Sequence, residues 1–170
     1  GVISLMYHRF DENKYPSTNI KVKIFKEHLE EINRQNIEII SFKNFEKILE
    51  SGIDKNYVLL TIDDAFQSFY KNAWPILKDK KIPFVLFVST REVGKHGYMS
   101  WTQIKELIDS NLATIGNHSH SHEYLVDESN EIIKADILKS INIFKKKLGK
   151  NSDFFSYPFG EYSVNFKNII

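Results

Sequence analysis

The chain has 170 residues, enough for one domain, and 42% of them are hydrophobic, which excludes a disordered chain. Its 23 basic and 22 acidic residues nearly cancel and are evenly mixed, which excludes the basic face of a nucleic-acid binder. With no cysteine, disulfides and thiolate metal sites are excluded, and any metal must be held by His, Asp or Glu.

In chain order, Val2–Tyr7 reads as a buried strand. Phe25, Leu29 and Ile32 recur at helical spacing and predict a helix over Lys23–Gln35. Ile37–Ile40 is a short strand, after which Ser41 is placed to cap a helix over Phe42–Glu50 that stops at Gly52. Tyr57–Ile62 is the next strand, and Ala65–Asp79 reads as helical, broken or kinked at Pro75. Phe84–Val88 is a buried strand, Ser100 caps a helix through Ile108, and Ala113–Gly116 is a short strand. Ser129–Leu148 is the longest helix, with Ile132, Ile133, Ile137, Leu138, Ile141 and Phe144 as its apolar side. Its late run Lys145-Lys146-Lys147 is a solvated end favoured by the helix dipole. Phe154–Tyr157 is the last strand, before a Pro-Phe-Gly turn.

Repeated strand–helix alternation predicts an α/β fold with a mainly parallel sheet, open or closed into a barrel. There is no internal repeat, low-complexity tract or linker, so residues 1–170 are expected to form a single domain. No apolar stretch reaches the roughly 20 residues that span a bilayer, and there is no signal peptide. Because the chain opens directly in a strand and ends abruptly at Ile169-Ile170, we expect a piece of a longer protein. The sequence points to no protein partner.

In such folds chemistry collects at the carboxyl ends of strands. His8 follows the first strand, Asp63-Asp64 follows Tyr57–Ile62, His118 follows Ile115-Gly116, and Pro158-Phe159-Gly160 follows the last. Alone, Asp64 would read as a cap for the segment from Ala65 onward. Beside His118-Ser119-His120-Ser121-His122, the acidic pair instead supplies one carboxylate for a divalent metal held with two imidazoles, and leaves a second carboxylate free. His118 and His122 are favoured as ligands, because four-residue spacing puts both rings on one side of a tight turn. His120 then lies behind the site or on the surface; in an extended segment His118 and His120 would be the pair. His8 alone would read as a hydrogen-bonding residue, and in an active site as an acid facing the base. Gly160 provides a tight turn whose exposed N–H groups suit an oxyanion. Trp74, Trp101, Phe84 and Phe87 read as packing residues, with Trp101 or Tyr98 as candidate borders of a sugar groove. His28 reads as exposed, and His96, in Gly94-Lys95-His96-Gly97, as part of a mobile loop.

Thr61-Ile62-Asp63-Asp64, His118-Ser119-His120-Ser121-His122 and Tyr157-Pro158-Phe159-Gly160 together resemble the motifs of the NodB-homology polysaccharide deacetylases, carbohydrate esterase family 4. The resemblance runs from Val2 to about Tyr162. It implies a distorted (β/α) barrel of about seven parallel strands, possibly cut short at the C-terminus. It implies Asp63 as general base, Asp64, His118 and His122 as metal ligands, and the turn Tyr157-Pro158-Phe159-Gly160 at the substrate, with the Phe159 N–H in the oxyanion hole. The arginine of the third motif is Ser156 here, and no Leu-x-His follows residue 160. Leu5-Met6-Tyr7-His8-Arg9 and Tyr157-Pro158-Phe159-Gly160 are similar to the circularly permuted poly-β-1,6-N-acetylglucosamine deacetylases of the PgaB and IcaB type, which implies His8 as the general acid. The implied activity is metal-dependent removal of N-acetyl groups from a polysaccharide outside the cytoplasm, in the periplasm or at the cell surface. Zinc is the implied metal, though His2Asp sites also accept nickel, cobalt or ferrous iron. The alternatives are a chitooligosaccharide, peptidoglycan or acetylxylan substrate, or a metal-containing carbohydrate-binding domain without turnover.

Overall fold

The computed structural model describes residues 1–170, and strand β5 (Tyr57–Asp63) is its spine, buried along its whole length. A parallel strand covered on both faces needs a continuous apolar run rather than an alternating one, and Tyr57-Val58-Leu59-Leu60 provides it. Strand β1 (Val2–Tyr7) pairs in parallel along one edge, from Val2 opposite Tyr57 to Tyr7 opposite Ile62. The other edge is divided. β4 (Glu38–Ile40) takes Tyr57–Leu59 and β6 (Phe84–Val88) takes Thr61–Asp63. β7 (Ala113–Asn117) completes the 5-stranded sheet beside β6. β2 (Arg9–Phe10) and β3 (Asn19–Ile20) form a separate parallel pair. Every pairing between these strands is parallel, as the alternation predicts. β2 and β3 were not among the strands read from the sequence, and the main ladder is traced as the path β1-β5-β6-β7.

The predicted strand over 154–157 shrinks to one parallel bridge between Phe155 and Asn117. The Ser156 carbonyl, which would continue the ladder, accepts from the His118 ring instead, and Pro158 has no N–H to give.

Helices α1 (Val22–Arg34) and α2 (Phe42–Ser51) lie close to their predicted bounds. Ser41 Oγ accepts the Asn44 N–H, and Gly52 ends α2 at φ 96°. The segment 65–79 departs from expectation. Asp64 and Ala65 are left-handed (φ 73° and 55°), so no helix begins there and Asp64 caps none. A π-helical turn at Phe69–Ala73 leads into α3 (Trp74–Asp79). Residues 67–79 are thus helical throughout, and the irregularity expected at Pro75 is the π-helical stretch directly before it. α4 (Trp101–Asp109) carries a capping box from Ser100 and Gln103.

α5 (Asn130–Leu148) begins at its Ser129 cap and buries Ile133, Ile137, Ser140 and Phe144. Ile132 and Leu138, expected on that face, are exposed: each lies one residue, about 100°, away from the buried stripe. Ser140 takes an inward place because its hydroxyl donates to Asn117 Oδ1 at 2.7 Å. A last helix, α6 (Val164–Ile169), was not predicted; its Phe166 packs with Leu125, Ile133 and Ile137. No helix is long and apolar enough to cross a membrane.

Candidate metal centre and active site

The carboxyl ends of β5, β6 and β7 meet at one place. Beyond β7 the chain keeps pairing with the segment after β6: Thr90 N–H donates to Ser119 O and Arg91 N–H to His120 O. The histidine loop is then folded tightly, with Ser119 and His122 in left-handed conformations. Such backbone costs free energy and must be held by its surroundings. Asp136 of α5 does much of the holding, accepting the His120 N–H at 2.7 Å and the Ser121 N–H at 3.0 Å. Ser119 Oγ accepts the His122 N–H at 3.0 Å, and Ser89 Oγ donates to His118 O at 2.7 Å. The sequence reading missed Asp136. Its signal was a carboxylate set beside the inward stripe Ile133, Ile137 and Ser140.

This folding brings His118 and His122, rather than His120, beside Asp64. Nitrogens of His118 and His122 and an oxygen of Asp64 lie within 4.8 Å of one another. His120 faces away, with Nδ1 2.9 Å from Thr90 Oγ1. Asp64 Oδ1 is 3.0 Å from His122 Nε2 and 3.5 Å from His118 Nε2, yet it is buried and lacks an aligned hydrogen bond. Ligands at zinc distances around a tetrahedral ion stand about 3.3 Å apart. The spacing, the donor types and the orphaned oxygen therefore fit a divalent ion. His118 Nδ1 is 2.8 Å from Ser156 O. A carbonyl only accepts, so Nδ1 carries the proton and Nε2 keeps its lone pair toward the cluster.

Electrostatics agree with that assignment. Burial pushes the His118 pKa down to about 4, so the ring is neutral at pH 7. Burial alone would raise the Asp64 carboxyl, but His122, His118 and His8 around it more than offset this and hold it below its ordinary value. Burial alone would lower His122, and the Asp64 carboxylate outweighs it and raises the ring.

Asp63 is set apart from the ligand cluster. It is buried, its Oδ2 is 3.9 Å from His118 Nε2, and its Oδ1 has no hydrogen-bond partner. Burial and then the neighbouring Asp64 charge push its pKa up to about 7, the range of a general base working at neutral pH. His8, half-buried after β1, lies in the same field. Burial lowers its pKa, Asp64 opposes this, and His122 and Arg9 lower it further. Pro158–Gly160 form a 3-10 turn with Phe159 at φ 62°. The Phe159 N–H donates to no acceptor in the chain, and the ring meets His122 edge-on at 5.0 Å between centroids. Pro158 is buried and Gly160 has φ 70°. The Tyr157 ring turns away from the cluster, packing on Phe155 and Phe166.

A cleft of about 430 Å³ opens beside the cluster, with Asp64 and His122 on one side and Arg9, Tyr15, Phe66 and Tyr98 among its other walls. Tyr98 thus borders the groove as expected. Trp101 does not; it packs edge-on against Phe144. Trp74 and Phe84 are core residues. His28 and His96 are exposed, and His28 Nδ1 pairs with Tyr7 OH at 2.7 Å.

Comparison with known proteins points the same way. The polysaccharide deacetylase family model matches residues 51–170. A poly-beta-1,6-N-acetyl-D-glucosamine N-deacetylase of Staphylococcus epidermidis is 28% identical over 150 residues, covering 80% of this chain and 52% of that protein. Proteins of the same name from Staphylococcus aureus are 27% identical. The chain therefore spans about half the length of these relatives. Among solved structures, IcaB from Ammonifex degensii superposes with a TM-score of 0.92 at 26% identity, covering 99% of this chain and 78% of that one. Streptococcus pyogenes deacetylase PplD, solved in complex with acetate, shares the fold with a TM-score of 0.86 at 23% identity, covering 99% and 78%.

Proposed function

The chain belongs to the polysaccharide deacetylase family, and from that premise we propose that residues 1–170 form one domain that hydrolyses N-acetyl groups from poly-β-1,6-N-acetylglucosamine. The observation that carries the reading is the separation of Asp63 from the cluster of Asp64, His118 and His122. A purely structural metal site has no use for a buried carboxyl with a pKa near 7 beside it. The substrate comes from the relatives that carry its name.

Asp64, His118 and His122 would hold the divalent ion, zinc in this proposal. When bound, such an ion supplies Lewis acidity and a water acidified toward neutral pH. Asp63 takes the proton of the attacking water. The free Phe159 N–H donates to the oxygen that becomes negative as the acetyl carbon turns tetrahedral. His8 gives its proton to the leaving nitrogen, because an amide anion is a very poor leaving group. The C–N bond breaks, a C–O bond forms, and the products are acetate and a glucosamine unit. Ser156 O keeps His118 in the ligating tautomer throughout. An exopolysaccharide substrate places the work outside the cytoplasm.

The test is acetate release from a β-1,6-linked N-acetylglucosamine oligomer beside a β-1,4-linked one, with and without chelator. Release from the β-1,6 oligomer, stopped by chelator and by Asp63→Asn, is the expected result. Preference for the β-1,4 oligomer would overturn the substrate, and release from neither would overturn the activity.

A further inference from the structure

Four planar groups are stacked along one wall of the cleft. The Arg9 guanidinium carbon lies over two rings, 3.5 Å from the centre of Phe66 and 4.3 Å from that of Tyr15. Phe66 in turn stacks on Tyr98, with centroids 5.0 Å apart and planes tilted by 36°. Backbone bonds fix that second contact: Gln67 N–H donates to Gly97 O and Met99 N–H to Ala65 O. The Arg9 side chain is only 17% exposed.

Stacking occupies the faces of a guanidinium and leaves its edge of N–H donors for hydrogen bonds. Arg9 uses little of that edge. Nη1 donates to Glu12 Oε2 at 2.8 Å, and no other acceptor in the chain takes its remaining N–H groups. The hydroxyls of Tyr15 and Tyr98 likewise have no partner within the chain, and both residues line the cleft. The wall therefore presents a row of unfilled donors and hydroxyls beside the cluster, on a scaffold whose orientation is already fixed. Its complement is a ligand rich in neutral oxygen acceptors and hydroxyls.

Resting on the deacetylase reading, we infer that the wall of Tyr15, Arg9, Phe66 and Tyr98 is the subsite for the sugar unit flanking the reacting N-acetylglucosamine residue, and that Arg9 is its specificity-determining residue. Arg9 grips ring or hydroxyl oxygens of that unit and so sets how the chain lies across Asp64 and His122. It touches no reacting atom.

The test uses the metal-loaded protein and a β-1,6-linked N-acetylglucosamine pentamer. Binding is measured by calorimetry in the Asp63→Asn background, and kcat and KM in the wild-type background. Arg9→Met keeps the stacked volume and removes the donors. The pentamer Kd is expected to weaken about 10- to 100-fold, the worth of hydrogen bonds from a charged donor, with the loss carried in KM rather than kcat. Arg9→Lys, which keeps the charge without the fork, should recover only part of it. Tyr98→Phe removes one hydroxyl and serves if Arg9→Met fails to fold; about 3- to 10-fold weakening is expected. A Kd within twofold of the parent for both Arg9→Met and Tyr98→Phe, or a loss confined to kcat, overturns the inference while leaving the deacetylase reading standing. If the parent protein neither binds nor deacetylates any N-acetylglucosamine oligomer, the deacetylase reading falls, and the subsite with it.

Discussion

His118 Nδ1 donates to the main-chain oxygen of Ser156 at 2.8 Å, joining the loop after β7 to the segment that leads into the Phe159 turn. One bond thus aims His118 Nε2 toward Asp64 and anchors the strand remnant that leads to the free Phe159 N–H. His118→Ala removes both. Metal affinity should fall by at least about 10²-fold, measured by competition with a chromogenic chelator. The metal-free protein should also lose roughly 1–3 kcal/mol in urea unfolding, because the carbonyl is left without its donor. A loss of metal affinity at unchanged metal-free stability would show that the bond has no part in holding the 154–160 segment.

Asp63 gives the metal-free protein a distinctive pH response. Its pKa is about 7 when folded against an ordinary 3.8, so the folded state holds this proton more tightly. Its contribution to stability is therefore complete below about pH 4 and is lost as pH rises through 7, with a slope of at most ~1.4 kcal/mol per pH unit. Asp63→Asn removes that titration. The expected result is a metal-free variant more stable than wild type above pH 7, with the gap closing toward pH 4. His118 titrates in both proteins and drops out of the difference. Urea midpoints at pH 4.5, 6 and 8 measure it. In the metal-loaded protein the same variant should keep its ion and lose about 10²- to 10⁴-fold in kcat.

Asp136 touches no member of the cluster, yet it holds two N–H groups of the loop that presents His118 and His122. Asp136→Ala leaves those donors unpaired and frees a backbone strained at Ser119 and His122. A 10- to 100-fold loss of metal affinity is expected, roughly that of removing an outer-shell partner. Unchanged affinity would mean that the pairing with the segment after β6 holds the loop alone.

The elements legible in the sequence were those set by local chemistry. The caps at Ser41 and Ser100 and the stop at Gly52 all stand where the residues put them. Asp64, His118 and His122 were legible because one short motif follows each of two strands. What escaped depends on partners distant in sequence. The stretch 65–66 has no local signal against a helix, and only the left-handed turn that presents Asp63 and Asp64 denies it one. Phe154–Tyr157 has the composition of a strand but gives its Ser156 carbonyl to His118. Arg9 carries no local signal of its contacts, because Phe66 and Tyr15 are brought to its guanidinium only by the fold.

His8 separates amide from ester chemistry. An amine must be protonated as it leaves, whereas a nitrophenolate leaves without help. His8→Ala should therefore lower kcat on an N-acetylglucosamine oligomer by roughly 10²- to 10³-fold and lower turnover of 4-nitrophenyl acetate far less. The ring lies in the field of Asp64 and His122, and burial lowers its pKa. The protonated form needed for donation is therefore scarce above its ordinary value of 6.5, and wild-type kcat on the amide should fall on the alkaline side. His8→Ala should flatten that limb, because the titrating donor is gone. Equal losses on ester and amide, with the alkaline limb intact, would assign the proton donor to another group and leave His8 a packing residue at the end of β1.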